Sequence, residues 1–190
     1  GELFVHGVNT KPGKPVILGK VGDKPVIGIP GYPVSAYLAL EWFIKPLIYK
    51  YFGLLVPQRE KVRAKLGRRL VSALGKEEFI RMTVGYVNDQ YVANPLHRGA
   101  GVTMSLVKAH GLLQIPASSL GFEQGQEAEI ELFRPEEEVK NTIVVVGSHD
   151  LTLDLLSTHI RNISGKLFLS SSHVGSMGGL LAIQKGEAHV

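Results

Sequence analysis

Apolar and polar positions divide the chain into three stretches with different periods. In residues 1 to 53, short apolar runs are separated by Pro/Gly turns: Val16-Ile17-Leu18, then Gly22-Asp23, then Val26-Ile27-Gly28-Ile29. That order predicts a β-hairpin. After Pro33 the spacing becomes helical, through Val34, Tyr37, Leu38, Trp42, Leu47, Ile48 and Tyr51. Pro46 must kink or restart this helix, and Gly53 is a natural stop. Residues 54–58, with Pro57, read as a short linker.

Residues 59–134 change to period 2. Arg59, Lys61, Arg63 and Lys65 alternate with Glu60, Val62, Ala64 and Leu66, which places the cations on one face of a strand. Further short strands are predicted at Glu78–Val84, Tyr91–Ala93, Gly111–Pro116 and Glu127–Leu132, with a turn at Asn88-Asp89 and a helical turn at Val102–Lys108. Several short strands with Gly, Pro and Asn turns predict a small all-β barrel or sandwich over 54–134. Residues 135–140 read as a charged linker.

From 141 to 190 the pattern is βαβα. Thr142–Val146 is a buried-strand run, and Leu151, Leu155, Leu156 and Ile160 form one helical stripe. Lys166–Leu169 is a second strand and Gly178–Gln184 a second helix. Parallel strands joined by a helix predict the first part of a doubly wound α/β domain. Two strands and two helices leave an apolar face uncovered, and both chain ends look cut, so a piece of a longer polypeptide is expected.

Composition narrows this little. Hydrophobic residues make up 44% and charged residues 20% of the 190, as in ordinary globular chains. No run is long and apolar enough to span a bilayer, and no signal-peptide order is visible. There is no cysteine, which excludes disulfides and thiolate metal sites. A cytoplasmic location is the default expectation. The net charge of +4 favours acidic ligands only slightly.

Two turns carry candidate chemistry. Lys11-Pro12-Gly13-Lys14-Pro15 puts two cations on a stiff loop. Gly28-Ile29-Pro30-Gly31-Tyr32-Pro33-Val34-Ser35 passes from a strand into a helix; Gly31 is suited to positive φ, and Pro33 to a first helical position. The N–H groups that follow, with the Ser35 hydroxyl, suit an anion, although Ser35 could equally cap the helix. Joined by a hairpin, the turns read as an anion-binding corner or as two ordinary turns. The basic strand at 59–65, with Arg68 and Arg69, reads as a protected edge more readily than as a nucleic-acid face, since it lacks interleaved aromatics. In the third stretch Ser148, His149, Ser171, Ser172 and Ser176 follow strands and precede helices, where an oxyanion or small acid could bind or where hydroxyls simply cap. The seven histidines show no metal spacing.

The pairing of K-P-G-K-P with G-I-P-G-Y-P-V-S resembles the molybdopterin molybdenumtransferases, the family of the gephyrin C-terminal domain, over residues 1 to about 134. The resemblance implies insertion of molybdate or tungstate into molybdopterin, or its adenylylated form, in molybdenum cofactor biosynthesis. It implies that 1–53 ends an α/β molybdopterin-binding domain and 54–134 is the family's β-domain. It points to Lys11, Lys14, Pro30, Gly31, Ser35 and Arg81 as the residues meeting the pterin or its oxyanion, and to a homodimer with a shared site. Magnesium is implied too, with ligands expected outside this chain, so that residues 1–190 alone would be inactive. Tyr32 departs from the family's usual Asn, which either removes one polar contact or exchanges it for a stacking surface, and Ala100 stands where a hydroxyl is common, so no hydroxyl contact carries over there. Residues 141–190 resemble the first lobe of a periplasmic-type or LysR-type substrate-binding domain. The alternative function is an oxyanion- or small-acid-binding module without catalysis.

Overall fold

The computed structural model describes residues 1–190. Strands β1 (Glu2–His6), β3 (Ile17–Val21) and β4 (Lys24–Gly28) form an antiparallel sheet in the order β1-β3-β4. The β3–β4 hairpin turns at Gly22, whose φ of 58° lies in the left-handed region. Between β1 and β3 the short strand β2 (Thr10–Lys11) leaves this sheet and pairs parallel with a strand of the following barrel. The Lys-Pro-Gly segment is thus not a free loop at its start.

Helix α1 (Pro33–Ala39) runs through a π-helical turn (Leu40–Ile44) into α2 (Lys45–Tyr51). Pro46 cannot donate to the preceding turn and its ring crowds the carbonyl four residues back. The wider π turn ahead of it accommodates that ring, so the helix is widened rather than broken. Gly53, at φ 67°, ends it.

Five strands close the barrel: β5 (Lys61–Leu66), β7 (Glu77–Val87), β8 (Gln90–Pro95), β9 (Gly111–Ile115) and β11 (Glu127–Leu132). The order β7-β8-β5-β11-β9 is completed by a β7–β9 pairing, and β2 is added beside β7. The small pair β6 (Leu70–Val71) and β10 (Gly121–Phe122) and helix α3 (Thr103–Lys108) lie between them in sequence. Asn88 and Asp89 adopt positive φ in the β7–β8 turn, as their sequence suggests. Inward alternation along the strands builds a core of 14 buried residues, including Val62, Leu66, Ile80, Met82, Leu113 and Ile130. The basic strand β5 is not an edge, because β8 and β11 flank it.

The segment read as a charged linker is helix α4 (Glu136–Lys140). Its Val139 is 1% exposed and joins the barrel core. One apolar residue among charges was enough to dock it.

Strand β12 (Thr142–Gly147), helix α5 (Thr152–Ser164), strand β13 (Phe168–His173) and helix α6 (Ser176–Gln184) form the βαβα unit, with β12 and β13 parallel. β13 runs farther than its apolar residues indicated, so Ser171 and Ser172 belong to the strand and not to a helix N-terminus. The unit packs on the barrel through Val144 and Val146, which cluster with Val87, Val92, Ala182 and Ala188. A Cβ on Gly85 would overlap Val144 Cγ2, so glycine permits this approach of β12 to β7. Residues 189 and 190 add backbone bonds to β12, from His189 N–H to Val144 O at 2.9 Å and from Val146 N–H to Val190 O at 2.9 Å. One face of the two-stranded sheet is therefore covered, whereas Leu151 just before α5, Leu155 and Ile163 of α5 and Met177 of α6 remain exposed.

Candidate functional site

The Lys-Pro-Gly segment, strand β7 and the loop at 97–101 meet around one buried carboxylate. Glu78 is 3% exposed although it is ionisable. It shares a strand face with Ile80, Met82 and Val84, which carries its side chain inward at the barrel end. Its Oε1 lies 3.2 Å from Lys11 Nζ and 3.4 Å from Arg98 Nη1, and its Oε2 accepts a 2.8 Å bond from the Ser72 hydroxyl. A buried carboxylate needs such partners. Lys11 stays more than half exposed, so its ammonium is placed by Glu78 and still reaches solvent.

Arg81 holds the other side of the loop. It is 1% exposed, and its Nη2 donates to His97 O at 2.6 Å and Gly99 O at 3.1 Å. Its Nε has no partner, and burial pushes its pKa below the ordinary arginine value. The next link is Ala100, whose carbonyl accepts the Val34 N–H at 3.1 Å at the start of α1. Tyr32 lies against Gly101. A continuous path therefore joins Lys11, Glu78, Arg98, the 97–101 loop, Arg81 and the Pro30–Ser35 turn. It holds three cations and one carboxylate.

The predicted residues fall on this path unequally. Lys11 and Arg81 are on it, with Arg81 holding loop carbonyls from inside. Lys14 is exposed, and its carbonyl accepts the N–H groups of Val8 and Val16. Pro30 and Ser35 are buried beside the turn. Gly31 is exposed, has nothing within 4 Å of where a Cβ would point, and does not take positive φ. That conformation belongs to Gly13, at φ 108°, in the Lys-Pro-Gly turn. The α1 N-terminus carries no side-chain cap, and one of its N–H groups is engaged by Ala100. Sequence reasoning missed Glu78, Arg98 and His97. For Glu78 a signal existed: an acid in phase with three apolar residues of one strand.

At the C-terminal unit, the Ser148 and Ser176 hydroxyls are 2.8 Å apart. The rings of His149 and His173 pack edge to face with centroids 4.4 Å apart. Burial, then the His149 charge, holds His173 below its usual pKa. Ser171 lies beside a different cavity, next to Ser170.

The cations of β5 meet acids. Lys61, Arg63 and Lys65 stand opposite Glu131, Glu129 and Glu127 of β11, and Lys61 Nζ is 2.8 Å from Glu129 Oε1. Such pairing is unlike an open phosphate-binding face. The structure forms no group of three or more His, Asp or Glu side chains able to hold a metal ion. These residues therefore offer no ligand set for the magnesium that the resemblance implies, whose ligands are expected outside this chain. No helix is long and apolar enough to cross a membrane.

Comparison with known proteins covers the first two stretches. Residues 63–133 match the family model of the MoeA C-terminal region (domain IV). A putative molybdopterin biosynthesis protein of Methanocaldococcus jannaschii is 37% identical over 134 residues, which is 70% of this chain and 31% of that protein. Molybdopterin molybdenumtransferase 2 of Mycobacterium tuberculosis is 32% identical over 133 residues, 68% of this chain and 32% of its own length. The crystal structure of a molybdopterin biosynthesis moeA protein from Pyrococcus horikoshii superposes with a TM-score of 0.56 at 34% identity, covering 69% of this chain and 32% of that one. The chain thus spans about a third of the length of the curated relatives it matches. These findings support the family for the barrel-bearing part of the molecule: the closed barrel is MoeA domain IV-like, in a chain similar over seven tenths of its length to molybdopterin biosynthesis proteins.

Proposed function

We propose that this chain contributes to a molybdopterin molybdenumtransferase, which inserts molybdate or tungstate into molybdopterin or its adenylylated form. The observation that carries this reading is the Glu78-centred path, because it ties both sequence motifs of the resemblance to the barrel arginine and the glycine loop. Bringing an oxyanion to a dithiolene while a phosphate leaves calls for positioning and charge neutralisation. Lys11 is the group suited to meet the anion: it is exposed, and its position is set by a buried carboxylate. Arg81 is a positioning residue, since it touches only the loop. Lys14 and Gly31 complete the proposed pterin-facing surface, and the buried Pro30 and Ser35 shape the turn behind it. The reading includes a cytoplasmic homodimer with a shared site.

The test is isothermal titration of molybdopterin, and of its adenylylated form, into the full-length protein. Lys11→Ala is expected to weaken binding roughly tenfold or more, the scale of one charge-assisted contact. Tight binding that is unchanged in the variant would reduce the motif to a turn.

A second reading is favoured by the Ser148–Ser176 contact at the carboxyl ends of β12 and β13. In it the C-terminal unit binds an oxyanion or small acid through Ser148, His149 and Ser176, without catalysis; Ser171 lies away from that pair. Lys11→Ala would leave that binding intact.

A further inference from the structure

A cleft of 480 Å³ opens where helix α3 and the barrel face α5 and β13. Its volume is in the range of small-molecule sites, roughly 300–1,000 Å³, and such sites favour junctions between structural units. Neither Lys11 nor the Ser148–Ser176 pair lines it, so it depends on neither reading above.

The charge inside is unbalanced. Lys108, Arg134 and Arg161 line the cleft against a single carboxylate, Asp154. Lys108 Nζ meets Asp154 Oδ1 at 2.8 Å and ties α3 to α5 across the opening. Arg134 donates to Val107 O at 2.9 Å and lies 3.7 Å from Glu138. Arg161 lies over the Phe168 ring at 5.7 Å, with no carboxylate in its reach. His110 adds no charge near neutral pH, since burial pushes it down to about 4. Ser170, in register with the barrel-facing Val144, brings a hydroxyl to one wall, while its strand neighbour Ser171 points to the other face of the sheet. Met104, Val107 and Phe168 bring apolar surface.

We propose that this cleft binds a small organic anion, a carboxylate or a phosphate ester. Its charged group pairs with Arg161 and the Ser170 hydroxyl, and its apolar part lies on Met104, Val107 and Phe168. The Lys108–Asp154 bridge is exposed and therefore weak. An incoming anion competes with Asp154 for Lys108, so Asp154 acts against binding.

The test titrates sodium pyrophosphate and sodium citrate separately into the full-length protein at low salt, by calorimetry and amide NMR. Binding is expected to shift the Arg161, Ser170 and Ser171 resonances. Arg161→Met is expected to weaken it roughly tenfold or more. Asp154→Asn is expected to tighten it several-fold, a gain that a misfolded variant could not give. Lys11→Ala is expected to leave the Arg161, Ser170 and Ser171 shifts unchanged, since Lys11 does not line this cleft. Pyrophosphate alone binding would assign the phosphate class, and citrate alone the carboxylate class. The proposal is overturned if neither probe shifts these resonances, if Arg161→Met binds as tightly as the parent, or if Lys11→Ala abolishes binding.

Discussion

Strands β5 and β7 both carry ionisable residues into the same barrel, with β8 between them, and use them oppositely. On β5 the alternation puts Lys61 and Arg63 outward, opposite acids of β11 in register. On β7 both faces are covered, so Glu78 and Arg81 are drawn inside and must find specific partners. A charge on a strand open to water needs little from its neighbours. A charge on a doubly buried strand organises them, here the Lys-Pro-Gly segment and the 97–101 loop. The period of a strand tells which face a residue occupies; only the packing tells whether that face is dry.

The largest effect that would sharpen this contrast comes from acid. His110 packs against β7, where its Nδ1 bonds the Val84 backbone. Its folded pKa of about 4 lies below the ordinary 6.5. The unfolded chain then takes up the proton first, so stability falls as pH drops from 6.5 towards 4 and is regained above that window. The slope is about 1.4 kcal/mol per pH unit, reaching about 3 kcal/mol in all. Urea unfolding across that range should show a shallower decline in His110→Gln than in the parent; parallel declines would break the contrast. Next comes Arg81→Met, which leaves the His97 and Gly99 carbonyls without their donor but also removes a buried charge. A net loss of about 1–3 kcal/mol is expected by urea unfolding. No loss would mean that the loop holds itself. The smallest effect belongs to β5: Lys61→Ala should leave the unfolding midpoint unchanged within error, since its ion pair with Glu129 is fully in water. A clear drop would erase the distinction between the two strands.

Much of the fold is legible in the sequence. The hairpin, the helix from Pro33, the barrel strands and the βαβα unit all follow from period and turn residues. What was not legible depended on contacts distant in sequence. Thr10 and Lys11 become strand only because β7 lies beside them. Residues 136–140 become a docked helix only because Val139 finds the barrel core. Ser171 looked like a cap because its hydroxyl hid its place in a parallel strand. For the candidate site, Lys11 is visible as a motif residue and Arg81 through the family resemblance, whereas nothing local marks the carboxylate between the cations beyond its phase with apolar neighbours. Positive φ was assigned to Gly31 and belongs to Gly13, because turn composition names candidates and the surrounding chain selects among them.

The closure of the barrel also sets an order in time. β7 and β8 can pair as a hairpin almost as soon as they exist, whereas β5 ends at Leu66 and its partner β11 begins only at Glu127. Until that later segment has been made, one side of β5 has no strand to bond. Long-range pairings of this kind form late because the intervening chain must first be brought together. During that wait the alternating lysines and arginines repel the same strand of any neighbouring chain, which opposes aggregation through the open side. The glutamates of β11 then discharge that repulsion, so the charges that look like a binding face serve as a guard until the ring is complete.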